Sequence, residues 1–116
     1  TTLAGIANAA SKKFPSTIIN GIVVLKGAEE IETSIRELST TKNWVLHHDY
    51  HFGGYGKTTD DLYNFIDDFT AYSGIIIEPI YTGKMFFALH SLIRSAGIQR
   101  GQKILAIHTG GFELER

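Results

Sequence analysis

The chain has 116 residues, of which 43% are hydrophobic and 20% are charged, and its formal net charge is −1. A chain of this size can bury one modest core, and we expect a single domain, residues 1–116. The near-neutral charge disfavours nucleic acid as a partner, and the absence of cysteine excludes disulfides and thiolate chemistry. No apolar run reaches membrane-spanning length, so we expect a cytoplasmic protein with no membrane partner.

The first half of the chain alternates between helical and strand patterns. Apolar residues at helical spacing before Pro15 predict a first helix. The β-branched run "TIINGIVVLKG" predicts a buried strand, and the spacing of Ile31, Ile35 and Leu38 predicts a second helix. "NWVLHHDY" predicts a weaker strand, which the glycine loop "HFGGYGKTT" follows.

The second half repeats this alternation. "DDLYNFIDDF" predicts a third helix with Thr58 or Thr59 as its N-cap and Gly74 just beyond its end. The apolar "GIIIEP" is a further strand candidate, "YTGK" opens a fourth helix that closes at Gly97, and "KILAIHTGG" predicts a last strand. Helices between apolar strands predict a three-layer α/β fold with a mostly parallel sheet, in which ligands bind at the carboxyl ends of strands.

Loops rich in Gly, Thr and Tyr follow the predicted strands: "HFGGYGKTT", "YTGK" and "HTGG". Glycines allow a ligand to approach the backbone, and hydroxyls donate hydrogen bonds without fixed charge. At the front, "TTLAGI" places two hydroxyls at a helix start, where free N–H groups suit a phosphate. Each loop alone is a weak signal, because Gly and Thr are common in α/β loops without ligands.

Two other kinds of site have partial support. "GYGKTT" before a helix has the layout of a nucleotide-binding P-loop, but the glycine required five residues before Gly56 is replaced by His51. His47, Asp49 and His51 would share one face of a strand as a possible metal triad. Such clusters are more often satisfied polar residues, and we predict no metal site. His90, in the fourth helix, is expected to be a packing residue.

"GGYGK", then "EPIYTGK" with its helix, then "GQKILAIHTGG" resemble the C-terminal portion of a pyridoxal-phosphate (PLP) family. That family contains 1-aminocyclopropane-1-carboxylate (ACC) deaminase and D-cysteine desulfhydrase. The resemblance covers most of the chain and implies a tryptophan synthase β-like fold of type II. Residues 1–116 would then be a C-terminal fragment of the large cofactor-binding domain. The Schiff-base lysine would lie in the absent N-terminal half, so the isolated chain is expected to be inactive.

The resemblance also implies roles for individual residues. Tyr55 and Tyr81 match the two catalytic tyrosines that face the substrate and the cofactor. In this family Thr2 would contact the cofactor phosphate and Thr109 the pyridine nitrogen. The full set of cofactor-binding residues that the resemblance implies is Thr2, Thr82, Thr109 and Gly110. It further implies that Gly83 lets the helix start approach the cofactor closely.

Thr82 and Thr109 bear on the branch of the family. ACC deaminases resemble one another in carrying a Glu after the second tyrosine and a Leu before the final glycines. Threonine at both positions looks more like the desulfhydrase branch. A neutral hydroxyl beside the ring nitrogen stabilises a carbanion less than a carboxylate does, which suits β-elimination better than ring opening. The resemblance implies a deaminase or lyase that acts on a small amino acid and releases ammonia and a 2-oxo acid.

Other interpretations remain open. Lys57 and Lys84 match no Schiff-base position, and we expect a loop cation and a helix-start cation. Tyr81 could instead cap the core beside Pro79. The chain could also be a non-catalytic α/β binding or interaction domain. Apolar faces that a missing half would cover predict self-association, as a homodimer or a higher oligomer.

Overall fold

The computed structural model describes residues 2–110. In chain order this part forms α1 (Thr2–Lys13), β1 (Ile19–Ile22), α2 (Glu30–Leu38), β2 (Trp44–His47), α3 (Asp60–Ser73) and α4 (Thr82–Arg94). The strands β1 and β2 are parallel and are joined through α2, as a βαβ unit requires. The α/β fold class is confirmed. No helix in the described part is long and apolar enough to cross a bilayer.

The sheet is a parallel pair whose register runs from Ile19 opposite Trp44 to Ile22 opposite His47. Helix α1 packs on it through small buried residues, Ala4, Ala7 and Ala10. Its first turn lies beside the middle of β1, because the Leu3 side chain touches Gly21. Its second turn lies at the start of β2, because Asn43 donates to the Ala7 carbonyl at 3.1 Å. Helix α1 therefore runs against the strands, and its N-terminus lies at their carboxyl edge.

A second core lies between α3 and α4. Its buried residues are Leu62, Ile66 and Ile77, and the surrounding aromatic side chains are Phe52, Phe65, Phe69, Phe86 and Phe87. The Thr59 hydroxyl accepts the Leu62 N–H, and Gly74 ends α3 in the left-handed conformation (φ 73°). Of the two threonines predicted as the N-cap, Thr59 is the one that caps this helix.

The predictions of further strands are wrong for the described residues. Residues 75–79 and 103–110 form no strand, and Gly111, the end of the predicted last strand, lies outside the described residues. A strand needs a neighbour that pairs with its backbone N–H and C=O groups. These two segments meet instead through a side chain, with His108 Nε2 at 2.8 Å from the Ile76 carbonyl oxygen. The fourth helix also ends at Arg94, before the predicted Gly97.

Candidate active site

Tyr55 and Tyr81 form a hydrogen-bonded pair. Tyr55 lies in the loop after β2, and Tyr81 immediately precedes α4. The Tyr81 hydroxyl donates to the Tyr55 hydroxyl at 2.9 Å, and the ring centroids are 5.8 Å apart in an edge-to-face arrangement. Both rings are half-exposed, 54% for Tyr55 and 49% for Tyr81. The structure therefore joins the two predicted catalytic tyrosines at the surface, which disfavours a core-capping role for Tyr81.

Tyr81 retains its proton more strongly than a free phenol does. The hydrogen bond to Tyr55 raises the pKa of Tyr81 above its ordinary value, because it retains the proton that Tyr81 donates. Partial desolvation and the negative charge of Glu78 act in the same direction. Tyr81 is therefore a protonated hydrogen-bond donor to Tyr55 at neutral pH.

Glu78 is buried (3% exposed) and fixes the start of α4. Its carboxylate accepts the backbone N–H groups of Tyr81 at 2.8 Å and Thr82 at 2.7 Å, and that of Ile80. These are N–H groups that a helix start leaves without intrahelical partners, and the helix dipole favours a negative charge there. Glu78 was not among the predicted site residues. Its position just before a helix was the available signal.

Thr82 and Gly83 pack inward against Glu78. The Thr82 hydroxyl accepts the Glu78 N–H at 2.9 Å and lies 3.2 Å from the carboxylate, to which it donates. A Cβ on Gly83 would lie 2.5 Å from the Glu78 carbonyl oxygen and 2.7 Å from Ile66. In the described residues, the close approach that Gly83 allows is therefore to Glu78 and to helix α3.

Lys84 lies in the first turn of α4, in surroundings that were not predicted. Its side chain is fully buried (0% exposed), and Nζ donates to the carbonyls of His51 at 2.7 Å and Gly54 at 3.1 Å. Burial lowers the pKa of Lys84, although the charge of Glu78 opposes this shift. Lys84 is a cation at a helix start, as expected, but its ammonium binds a distant loop, which was not predicted. A lysine in the first turn of a helix, where the dipole disfavours a cation, was the signal that something else holds it.

The glycine loop, residues 51–57, has an unusual backbone. Phe52, Gly53, Gly54 and Gly56 all have positive φ, at 57°, 103°, 132° and 69°. The Gly53 and Gly54 N–H groups bond within the loop, to His51 Nδ1 at 3.0 Å and to the His51 carbonyl at 3.2 Å. They are not presented as the amide cradle of a P-loop, which agrees with the failed glycine spacing.

The remaining predicted cofactor residues lie on other segments. Thr2 is exposed at the first position of α1, at the carboxyl edge of the sheet. Thr109 is exposed, and Gly110 (φ 105°) donates its N–H to His108 Nδ1 at 3.0 Å. In the described part of the chain, neither threonine is hydrogen-bonded to the tyrosine pair. The structure therefore brings together Tyr55, Tyr81 and the Thr82 backbone.

The histidines have other partners. His47 Nε2 lies 2.8 Å from Asn20 Oδ1 across β1 and β2, and His51 accepts the Gly53 N–H. Burial lowers the pKa of His47. Within residues 2–110, no three His, Asp or Glu side chains converge as a metal-binding group. His90 is exposed, although its ring lies 5.6 Å from that of Phe65.

Comparisons with known proteins relate the chain to two named activities. No protein-family model matches it. The chain is 37% identical over 102 residues to a candidate ACC deaminase of Pyrococcus furiosus, covering 85% of this chain and 29% of that protein. It is 29% identical over 121 residues to a D-cysteine desulfhydrase of Yersinia enterocolitica, covering 95% of this chain and 37% of that protein.

The fold has a solved counterpart. A crystal structure of an ACC deaminase homologue matches with a TM-score of 0.72 and 32% sequence identity, over 82% of this chain and 32% of that one. The chain thus spans about a third of the length of the proteins it matches. Sequence and fold together show that the chain is homologous to about a third of each of these proteins, which are named as ACC deaminases and D-cysteine desulfhydrases.

Proposed function

We propose that this chain is the C-terminal part of the cofactor-binding domain of a PLP-dependent deaminase or lyase that acts on a small amino acid. The observation that carries the proposal is the exposed Tyr55–Tyr81 pair, which follows β2 and precedes α4. The similarity to a desulfhydrase and to candidate deaminases supports this reaction class.

The groups that this chain offers fit PLP. The first turn of α1 contains no acidic residue, unlike those of α2 and α3, so its free N–H groups and the Thr2 hydroxyl suit a phosphate. The exposed Thr109 provides a neutral hydroxyl, which suits the ring nitrogen, and Gly110 leaves room beside it. Thr82 would act on the cofactor by fixing the start of α4, because its side chain is buried and its hydroxyl stays on Glu78. When bound, PLP would supply the electron sink for a carbanion.

The phenol pair would handle the substrate. The Tyr81 hydroxyl keeps its proton and donates a hydrogen bond to the Tyr55 oxygen. The hydroxyl proton of Tyr55 would then be directed away from Tyr81. This arrangement can donate a hydrogen bond to a small amino acid, orient it and move a proton at the phenol oxygen of Tyr55. Uncharged hydroxyls dominate the proposed site. The residues of this chain would therefore recognise the substrate through neutral hydrogen bonds and not through a charged side chain.

Turnover by the whole protein in which this chain occurs tests the proposal. The purified protein is supplied with PLP, and D-cysteine and ACC are added separately, with protein lacking PLP as the control. We expect one D-cysteine and one water to give pyruvate, sulfide and ammonia, because Thr82 and Thr109 favour the desulfhydrase branch. Production of 2-oxobutyrate and ammonia from ACC would retain the reaction class and overturn the branch. No PLP absorbance and no turnover would favour a non-catalytic α/β binding domain.

A further inference from the structure

The buried charged side chains of residues 2–110 are Glu78 and Lys84, and each binds a segment that carries one of the paired tyrosines. Glu78 accepts the backbone N–H of Tyr81 at 2.8 Å. Lys84 Nζ reaches back to the loop that carries Tyr55 and donates to the carbonyl of Gly54, the residue directly before it, at 3.1 Å. Two buried charges thus bind the backbone of the two segments that carry the phenols.

Burying an ammonium is unfavourable, and the Lys84 side chain is fully buried, which lowers its pKa. An apolar side chain of similar length would fill the same space without that cost. Lysine differs in having three N–H donors on a long stem, and two of them meet the carbonyls of His51 and Gly54. The contribution specific to lysine at this position is therefore to hold the loop.

The loop needs such a restraint. Phe52 has positive φ although it is not a glycine, and strained backbone of this kind persists only where its surroundings hold it. The three glycines with positive φ are unstrained but flexible, so they do not hold the loop by themselves. The Phe52 ring holds the start of the loop, packing edge-on against Phe87 with centroids 4.8 Å apart. Lys84 holds the middle, next to Tyr55.

We propose that Lys84 is a positioning residue that holds Tyr55 against Tyr81 by binding the carbonyls of the glycine loop. Without the ammonium, the His51 and Gly54 carbonyls keep only the N–H donors of the loop itself and lose their bonds to α4. The backbone before Tyr55 is then no longer tied to α4, and the phenols separate. The effect of this positioning on catalysis rests on the proposed function. The claim that Lys84 positions the two phenols does not depend on that function.

Lys84→Met tests the positioning directly, because methionine is unbranched and apolar and has no N–H donor. The readout is NMR of the whole protein with 13C-labelled tyrosine: the ring contact between Tyr55 and Tyr81, and the titration of Tyr81. We expect Lys84→Met to lose the contact and to lower the Tyr81 pKa to the value measured in Tyr55→Phe. Lys57→Met removes an exposed lysine of the same loop and should change neither. An intact contact and an unchanged titration in Lys84→Met would overturn the proposal.

Kinetics test whether Lys84 acts through Tyr55. Lys84→Met should lower kcat about a hundredfold, the cost of misplacing a reacting group by about 1 Å, with little change in KM. In a Tyr55→Phe background it should cause no further loss. If Lys84→Met lowers kcat by the same factor with and without Tyr55→Phe, then Lys84 acts independently of Tyr55, and the proposal is overturned. If the unsubstituted protein shows no turnover, the proposed function is wrong. The NMR measurement on tyrosine would still test whether Lys84 positions Tyr55.

Hydrogen exchange on the unsubstituted protein decides the matter if Lys84→Met does not fold. The Gly54 and Lys57 N–H groups bond within the loop. If Lys84 holds the loop, these amides are protected and open together with those of α4. Unprotected loop amides beside a protected α4 would contradict the proposal.

Discussion

At the scale of single residues, the start of α4 depends on one carboxylate. Glu78 is almost fully buried, and its oxygens accept three consecutive backbone N–H groups. Hydrogen bonds to a charged acceptor are stronger than neutral ones, and a neutral amide would place N–H donors against N–H donors. Glu78 is therefore expected to be a main determinant of local stability.

Glu78→Gln should lower the free energy of unfolding by about 2 kcal/mol, the scale of a charge-assisted hydrogen bond. Urea denaturation measures this change. Glu29→Gln is the matched control, because Glu29 precedes α2 without a side-chain cap bond. We expect less than about 0.5 kcal/mol for this exposed helix start. Equal losses of unfolding free energy in the two variants would show that the buried carboxylate of Glu78 stabilises the fold no more than the exposed Glu29 does.

Gly83→Ala should be destabilising by about 3 kcal/mol, since the new Cβ would lie 2.5 Å from a backbone oxygen that cannot move easily. Gly5→Ala is the control within helix α1. A Cβ there meets nothing within 4 Å, and we expect a gain of roughly 0.5–1 kcal/mol from helix propensity. Thermal or urea unfolding of both variants checks the pair. A stable Gly83→Ala variant would mean that α4 does not approach Glu78 this closely.

At the scale of elements, the ends of α3 follow local rules that the sequence displays. The side chain of Thr59 caps the first turn, acidic Asp60 and Asp61 follow it, and Gly74 ends the last turn in the left-handed conformation. These rules involve neighbours a few residues away. Both ends were therefore predictable, apart from the choice between Thr58 and Thr59.

Thr59→Ala should lower the free energy of unfolding by about 1 kcal/mol through the loss of the N-cap bond to Leu62. Thr58→Ala, one residue earlier, should have almost no effect. Circular dichroism during urea denaturation compares the two. If Thr58→Ala lowers the free energy of unfolding more than Thr59→Ala does, then Thr58 is the N-cap and α3 begins one residue earlier.

The pairing of β1 with β2 should weaken in acid. Burial lowers the pKa of His47 below its ordinary value of 6.5; His48 adds to this effect and Asp49 opposes it. As the pH falls through that ordinary value, the unfolded chain takes up the proton before the folded chain does. The free energy of unfolding therefore decreases from about pH 7 downward, until the pH passes the lowered pKa.

His47→Gln removes this titration, so we expect a smaller loss of stability between pH 7 and pH 5 than in the unsubstituted chain. Urea midpoints at each pH give the slope. His90→Gln, which removes an exposed imidazole on α4, serves as the control. Identical slopes for the native chain and His47→Gln would show that His47 is not responsible.

At the scale of the whole molecule, the described chain leaves apolar side chains in water. Leu105 is 87% exposed, and Ile75, Ile76, Ile104 and Ile107 are each close to half-exposed. The two segments that carry them are adjacent, because His108 contacts the Ile76 carbonyl. An apolar surface of this kind favours association with another protein surface.

The isolated 116-residue chain is therefore expected to sediment above its monomer mass of 12.8 kDa at micromolar concentrations. Leu105→Glu should shift the population toward monomer, because it places a charge in the apolar surface. Gln102→Glu adds the same charge nearby without removing apolar area and should not. Analytical ultracentrifugation distinguishes them. A monomeric unsubstituted chain would contradict this expectation.

The sequence by itself determined the elements with strong local signals. Apolar periodicity predicted the four helices, and Thr59 and Gly74 marked the ends of α3. A β-branched run predicted β1, and the weaker pattern "NWVLHHDY" predicted its partner β2. The ordered motifs that resemble the PLP family also pointed to relatives that the comparisons then found. Local chemistry and motif order are both contained in the order of residues along the chain.

Tertiary structure decided the features that depend on distant partners. The strands predicted in "GIIIEP" and "KILAIHTGG" do not form in the described residues, because a strand exists only beside a neighbour that pairs with its backbone. The burial of Lys84 required two carbonyls about 30 residues earlier in the chain. The contact of Tyr55 with Tyr81 likewise joins two loops. Each of these features depends on where the chain folds back on itself. That position cannot be read from residue type or from local spacing alone.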